Sequence, residues 1–168
     1  AVPRFVSLLI MRTMLQPAGA INVRLRNLGI IAQDASLPFF TDTVWARVTV
    51  IVVNIWVGVP YTLLQLTGVL QNIPEEIYEA ARVDGANAVQ IFFKITLPYM
   101  FYVTTPYLIA TFTGNVNNFN IIYLLSGGDP VTNLSSTAGN TDLLVTWLYK
   151  LTVDRQYYNI GAVIGILT

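Results

Sequence analysis

The chain predicts an all-α fold, a polytopic transmembrane helical bundle, and three observations carry that expectation. Apolar residues make up 54% of the 168 positions and charged residues only 11%, and the mean hydropathy is +0.58, a balance that soluble globular domains seldom reach. Val48 to Pro74 holds no charged residue over 27 positions, and Ile95 to Gly128 none over 34. Each run exceeds the roughly 20 residues that a helix needs to cross a hydrocarbon core. Between them lies the charged stretch Glu75 to Pro98, which must then face water.

The elements follow in order. Residues 1–15 are apolar apart from Arg4 and Arg12 and are too short to cross alone, so they read as the end of a span. Residues 16–42 mix Arg24, Arg26 and Asp34 with Gly19, Gly29 and Pro38 and predict an external loop with short surface helices. A first complete span is expected over 43–71, where Gly58 and Pro60 sit near the middle and can break the hydrogen-bond ladder. Residues 72–97 form the charged loop, 98–125 the second complete span, and 126–142 a second external loop by its Gly, Pro, Asn and Ser content. A short helix is expected over 143–153 and the start of a truncated span over 157–168. A chain that begins at Ala1 without methionine and stops inside an apolar run reads as a fragment, and no signal peptide is evident. No internal repeat is evident.

The charged loop has a readable local grammar. Asn72-Ile73-Pro74-Glu75 has capping-box spacing with proline in the first turn, which places a helix start near Asn72. Gly85 after Asp84 suits a left-handed C-terminal cap. A second helix then begins near Ala86, presents Val89, Phe92 and Phe93 on one side, and yields to a new element at Pro98. On the first helix Ile77, Ala80 and Ala81 share a face, small enough for another backbone to approach, with the Glu79 carboxylate at its edge.

The composition also narrows the chemistry. The chain has no cysteine and no histidine, which removes disulfides, thiolate or imidazole metal sites and Ser-His or Cys-His nucleophiles. No catalytic residues and no metal site are expected, and the absence of a GxxxxGK[ST] pattern assigns any ATP chemistry to another chain. With zero formal net charge and no basic run, nucleic acid is not an expected partner.

Two uncharged polar stripes run along the spans. Asn54, Gly58, Tyr61 and Gln65 recur at helical spacing on the first, and Thr104, Tyr107, Thr111, Asn115 and Asn118 on the second. Amides, hydroxyls and tyrosines suit a neutral polyhydroxylated ligand. Small and polar residues at that spacing also glue membrane helices together, and spacing alone leaves both readings open. No carboxylate lies inside an uncharged span, which argues against proton coupling or a membrane enzyme.

Glu79-Ala80-Ala81, then Gly85 after three intervening residues, and Ile95-Thr96-Leu97-Pro98 after nine more resemble the EAA loop of the membrane-spanning permease subunits of bacterial ABC importers. The flanks AVPRFVSLLIMR, NIWVGVPY, NVNNFNIIYLLSGGDP and TDLLVTWLY are similar to the MalF-type carbohydrate permeases, and the resemblance covers nearly the whole chain. It implies a multi-pass subunit of the bacterial cytoplasmic (inner) membrane that is not itself an enzyme. It further implies no cofactor on this chain, ATP and Mg being held by a cytoplasmic ABC ATPase dimer. A second permease subunit in a heterodimer and an extracytoplasmic solute-binding protein complete the implied complex.

The Lys/Arg distribution does not decide orientation; the resemblance places 72–97 in the cytoplasm and both external loops outside. Carried over residue by residue, the sugar site comprises Asn54, Gly58, Tyr61, Thr111, Asn115 and Asn118. The ATPase-coupling residues are Glu79, Ala80, Ala81, Gly85, Ile95, Leu97 and Pro98, with Glu79 facing a basic residue of the ATPase and Glu75, Glu76 and Asp84 solvated. Arg4 departs from the small residue relatives carry there, and leaves the sugar undefined. The implied cargo is a maltose-like oligosaccharide; another polar solute such as glycerol phosphate, or a non-transporting scaffold or channel, are the alternatives.

Overall fold

A computed structural model describes residues 3–133 and 135–168. Among these residues every regular element is helical, beginning with α1 (Arg4–Leu15), α2 (Ala20–Asn27), α3 (Thr43–Gln71), α4 (Glu75–Val83) and α5 (Ala88–Ile91). These are followed by α6 (Leu97–Val116), α7 (Phe119–Ile121), α8 (Leu144–Tyr149) and α9 (Tyr158–Leu167). Three π-helical turns, Phe92–Thr96, Ile122–Ser126 and Lys150–Asp154, follow α5, α7 and α8 directly. The residues group into two units, one from the described part of Ala1–Val57 with Val116–Thr168, the other Gly58–Asn115.

The first unit contains the apolar core. Leu8, Leu15, Val53, Ile121, Ile122 and Leu125 are buried together, with Phe39 and Phe40 packed against them. Its connecting segments are held by side chains that take the place of backbone pairing. Fully buried Asn22 donates from Nδ2 to the Gln16 carbonyl at 3.0 Å and accepts the Leu37 N–H at 2.8 Å. Arg26 donates to the carbonyls of Ala35 and Pro17 at 2.7 and 2.9 Å. Asp42 caps α3, its Oδ1 accepting the N–H groups of Val44 and Trp45 at 3.0 Å. The segment after the second π turn, expected as a plain loop, is a knot around Asp142, which binds Lys150, Thr146 and the Gly139 N–H. Asn140 ties that knot to Thr43 at the start of α3, at 2.7 Å.

In the second unit, two expectations for the charged loop need correction. Asn72 does not cap α4: its amide donates to the Gly68 carbonyl at 3.0 Å, closing the end of α3. Pro74 occupies the N-cap of α4 instead and makes no side-chain bond, since proline offers neither an acceptor side chain nor an N–H. The second helix starts at Ala88, capped by Asn87 in a reciprocal pair with Gln90, both bonds at 2.9 Å. The turn between them matches the glycine expectation. Gly85 has φ of 79°, its N–H meets the Arg82 carbonyl at 3.0 Å, and the Ala86 N–H meets that of Ala81 at 2.9 Å, the bond pair of a Schellman cap.

Helix α3 continues through Gly58 and Pro60 without interruption, against the expectation of a break. It is, among the described residues, the one helix long and apolar enough to cross a membrane, and little of its apolar stretch is buried. Helix α6 has inverted polarity. Thr104 is buried and Tyr107 and Thr111 are half-buried, while Phe101, Tyr102, Ile109 and Phe112 are exposed. Its polar side chains turn back onto their own helix. Thr104 donates to Met100 at 2.6 Å, Thr113 to Ile109 at 3.0 Å and Asn115 to Thr111 at 2.8 Å, all at backbone carbonyls. In water such i−4 bonds compete poorly with hydration; in an apolar medium they avoid the cost of an unpaired polar group.

Candidate functional site

The residues of the two polar stripes fall into two sets of contacts, one in each unit. In the first unit Asn118 donates from Nδ2 to Asn54 Oδ1 at 3.3 Å, and its own Oδ1 accepts the Ile121 N–H at 3.3 Å. Asn118 thereby caps α7 and holds an amide against α3, so its orientation is fixed by two bonds at once. Both amides are half-buried and uncharged, which leaves a surface of hydrogen-bonding groups without a formal charge.

In the second unit the contacts centre on two tyrosines. The rings of Tyr61 and Tyr107 lie 6.4 Å apart, inclined at 47°, and the Tyr107 hydroxyl is 3.1 Å from Thr62 Oγ1. Gln65 Nε2 donates to the Tyr61 hydroxyl at 2.9 Å, four residues on along α3, as the stripe spacing requires. Thr111 and Asn115 lie on consecutive turns of α6, linked by the Asn115 amide. A Cβ added at Gly58 would meet nothing within 4 Å, so the glycine is not forced by packing within the chain. Thr62 escaped sequence reasoning because a single threonine in an apolar run carries no periodic signal, although it stands one turn beyond Gly58.

The charged loop presents the coupling residues as a compact helix, turn and helix. Glu75 and Glu76 lie in the first turn of α4 and Arg82 in its last, the distribution that suits the helix dipole. Glu79 and Ala80 are exposed, Ala81 is half-buried, and Ile77 and Val83 expose large apolar side chains. The Tyr78 hydroxyl lies 3.2 Å from Thr96 Oγ1, tying α4 to the π turn. An open groove between them is lined by Tyr78, Arg82, Ile91, Phe92 and Thr96. Ile95 and Leu97 are half-buried beside that buried threonine, and Pro98, expected to mark a new element, instead lies within helical backbone that runs on from the π turn through Leu97 into α6. Among the described residues, no cluster of three or more carboxylates could hold a metal ion.

Among the described residues these features are helices with exposed apolar side chains, a set of uncharged polar contacts in each unit and one charged helical hairpin. Residues 1–167 match the family model described as binding-protein-dependent transport system inner membrane component, and the chain belongs to that family. It is 45% identical over 168 residues to the galactooligosaccharides transport system permease protein GanP of Bacillus subtilis, covering 99% of this chain and 39% of that protein. It is 39% identical over 175 residues to the maltodextrin transport system permease protein MalC of Streptococcus pneumoniae, covering 99% and 40%. With the maltose/maltodextrin transport system permease protein MalF of Vibrio vulnificus it shares 43% over 156 residues, covering 92% and 29%. The chain thus spans about two fifths or less of the length of these relatives. A bacterial alginate ABC transporter crystallised with an alginate pentasaccharide-bound periplasmic protein has a chain of the same fold. The TM-score is 0.72 at 25% identity, over 99% of this chain and 55% of that one.

Proposed function

We propose that this chain is part of the multi-pass membrane subunit of an ATP-driven importer in the bacterial cytoplasmic membrane, and that its cargo is a neutral, maltose-like oligosaccharide. The observation that carries the reading is the inverted polarity of α6, which buries Thr104 and half-buries Tyr107 and Thr111 while it exposes Phe101, Ile109 and Phe112. Exposed apolar surface on that scale suits lipid or a neighbouring subunit, and the sheltered hydroxyls of α6, with the half-buried amides of Asn54 and Asn118, suit a sugar. The names of the relatives, maltodextrin and galactooligosaccharide permeases, support the same class of cargo. Asn54, Gly58, Tyr61, Thr111, Asn115 and Asn118 are the proposed sugar contacts.

In this reading α4 docks in a cytoplasmic ABC ATPase dimer, through Glu79, Ala80, Ala81 and the turn at Gly85, with Ile95, Leu97 and Pro98 bracing the loop. ATP and Mg are held there, and this subunit does no covalent chemistry. A second permease subunit faces it, and a solute-binding protein delivers sugar from outside. Closure of the ATPases tilts the spans as rigid bodies, so that the sugar contacts face first outward and then inward.

Two measurements test the reading. Asn115→Ala removes an exposed amide offered to the sugar hydroxyls, which costs about 0.5 to 1.5 kcal/mol of binding; transport per assembled complex should fall while assembly with the ATPase survives. Leu108→Ala is the apolar control on the same helix. A full rate for Asn115→Ala, with stability lost equally in both variants, would make the stripe packing glue. Gly85→Val forces a β-branched residue to positive φ at about 1 to 2 kcal/mol, with no added clash because the site is open. The ATPase should then dissociate from the permease in detergent; unchanged co-purification and unchanged sugar-stimulated ATP hydrolysis would remove the loop from the dock.

A further inference from the structure

Three aromatic rings from two separated stretches meet in the first unit. Phe119 and Tyr123 stack with centroids 4.9 Å apart and 19° between their planes. Tyr149 stands edge-on to both, 5.2 Å from each, at 63° and 70°. Phe119 directly follows Asn118, the residue whose amide is paired with Asn54 and whose Oδ1 caps the turn that carries the ring. The turn that carries Phe119 is therefore capped by the same side chain that makes the proposed sugar contact.

None of the three rings is buried as core: Phe119 and Tyr149 are half-buried and Tyr123 is exposed. On the same turns Ile121, Ile122 and Leu125 are at most 5% exposed, whereas Tyr123 keeps 39% of its surface open. Both arms of the cluster also adjoin π-helical turns. Tyr123 lies within Ile122–Ser126, and Tyr149 immediately precedes Lys150–Asp154. A π turn inserts an extra residue into the helical repeat, costs hydrogen-bond geometry and recurs at functional positions. A membrane-interface role would explain single tyrosines but not a stacked pair braced by a third ring beside a paired amide. Stacked rings give the C–H face of a pyranose an apolar surface, and the phenol hydroxyls of Tyr123 and Tyr149, hydrogen-bonded to each other, keep further acceptor capacity for its rim.

We propose that Phe119, Tyr123 and Tyr149 form an aromatic platform that holds a sugar unit beyond the one contacted by Asn54 and Asn118, so that the cluster sets the preference for longer oligosaccharides. This rests on the sugar reading given above and adds a chain-length determinant to it. The test uses the complete transporter with its ATPase and second permease subunit, in proteoliposomes, driven by saturating sugar-loaded binding protein so that delivery affinity drops out. The probes are maltose and maltopentaose, with the corresponding galacto-oligosaccharides in parallel.

Tyr123→Ala should lower the maximal rate with the pentasaccharide about five- to tenfold and leave the disaccharide rate within about twofold. Tyr123→Phe, which keeps the ring, should restore most of the difference. Equal loss on both lengths, or no loss on either, overturns the platform while leaving the sugar reading intact. Transport of none of the four sugars by the wild type overturns the sugar reading, and the platform with it. If Tyr123→Ala does not assemble, Tyr123→Leu keeps the apolar volume without the ring and is read by the same criteria.

Discussion

Replacing Asp142 with alanine is expected to destabilise the first unit by about 3 to 5 kcal/mol, because it breaks a buried ion pair from one side. The Asp142 side chain is 1% exposed and that of Lys150 20%. Oδ2 accepts the Lys150 ammonium at 2.7 Å and the Gly139 N–H at 2.8 Å, and Oδ1 accepts the Thr146 hydroxyl at 2.9 Å. Alanine would leave the charged Lys150 ammonium and the Gly139 N–H without this acceptor, while the Thr146 hydroxyl keeps the Leu143 carbonyl at 3.0 Å. Gly128 shows how tightly the knot is closed. Its φ is 90°, and an added Cβ would run into Lys150 Nζ and the Asp142 carboxylate.

The check is the melting midpoint of the purified complex, which should fall by about 6 °C or more. Asp142→Leu combined with Lys150→Met should recover much of the loss, because it removes both charges rather than orphaning one. A midpoint for Asp142→Ala equal to that of the wild type would show that the pair holds nothing together.

The reason this knot was not legible in the sequence also explains what was. Ser126 to Asp142 reads as a loop because Gly, Pro, Asn and Ser report only that the backbone turns. The acceptor at Asp142 and its cation at Lys150 are eight residues apart, a spacing with no periodic meaning outside a helix. Local rules served where the structure is local. The charge-free run from Val48 marks α3, and a glycine after Asp84 marks the Schellman turn. The three-and-four spacing finds Thr104, Tyr107 and Thr111 on the sheltered side of α6 but carries on to Asn115, which is exposed, since one helix's geometry determines which of its residues share a side and not how far the cover extends.

They misplaced the start of α4 because Asn72 had two carbonyl and N–H neighbourhoods within reach, and the completed end of α3 won. The sequence likewise brought Asn54 and Tyr61 into one stripe without indicating that the first would pair with Asn118 and the second lie against Tyr107. Those partners come from other helices, and only tertiary packing selects them. The π turns left no sequence signal at all, so the aromatic cluster beside them went unnoticed despite its stacked i,i+4 pair.

Asn22→Leu is expected to cost about 2 to 5 kcal/mol, as two buried backbone groups lose their partner at about 1 to 3 kcal/mol each. The asparagine is fully buried, with its amide donating to Gln16 ahead of α2 and accepting from Leu37 well beyond it. Leucine repeats the branching of asparagine with the same number of side-chain heavy atoms, so no cavity opens, while its bulkier methyl groups add some overpacking to the lost hydrogen bonds. Arg26 spans the same segment through Ala35 and Pro17, which makes the two side chains a shared clamp on residues 28–42. Amide hydrogen exchange reads this directly. Peptides covering Leu37 should exchange at least about tenfold faster in Asn22→Leu, while those from α6 should be unchanged. Arg26→Met should speed the peptides around Ala35, and the double variant should lose less stability than the sum of the singles, because either change alone already loosens the segment that both residues hold. Full protection at Leu37 in Asn22→Leu, or strict additivity of the two variants, would mean that the segment is held from elsewhere and that the buried amide is incidental to it.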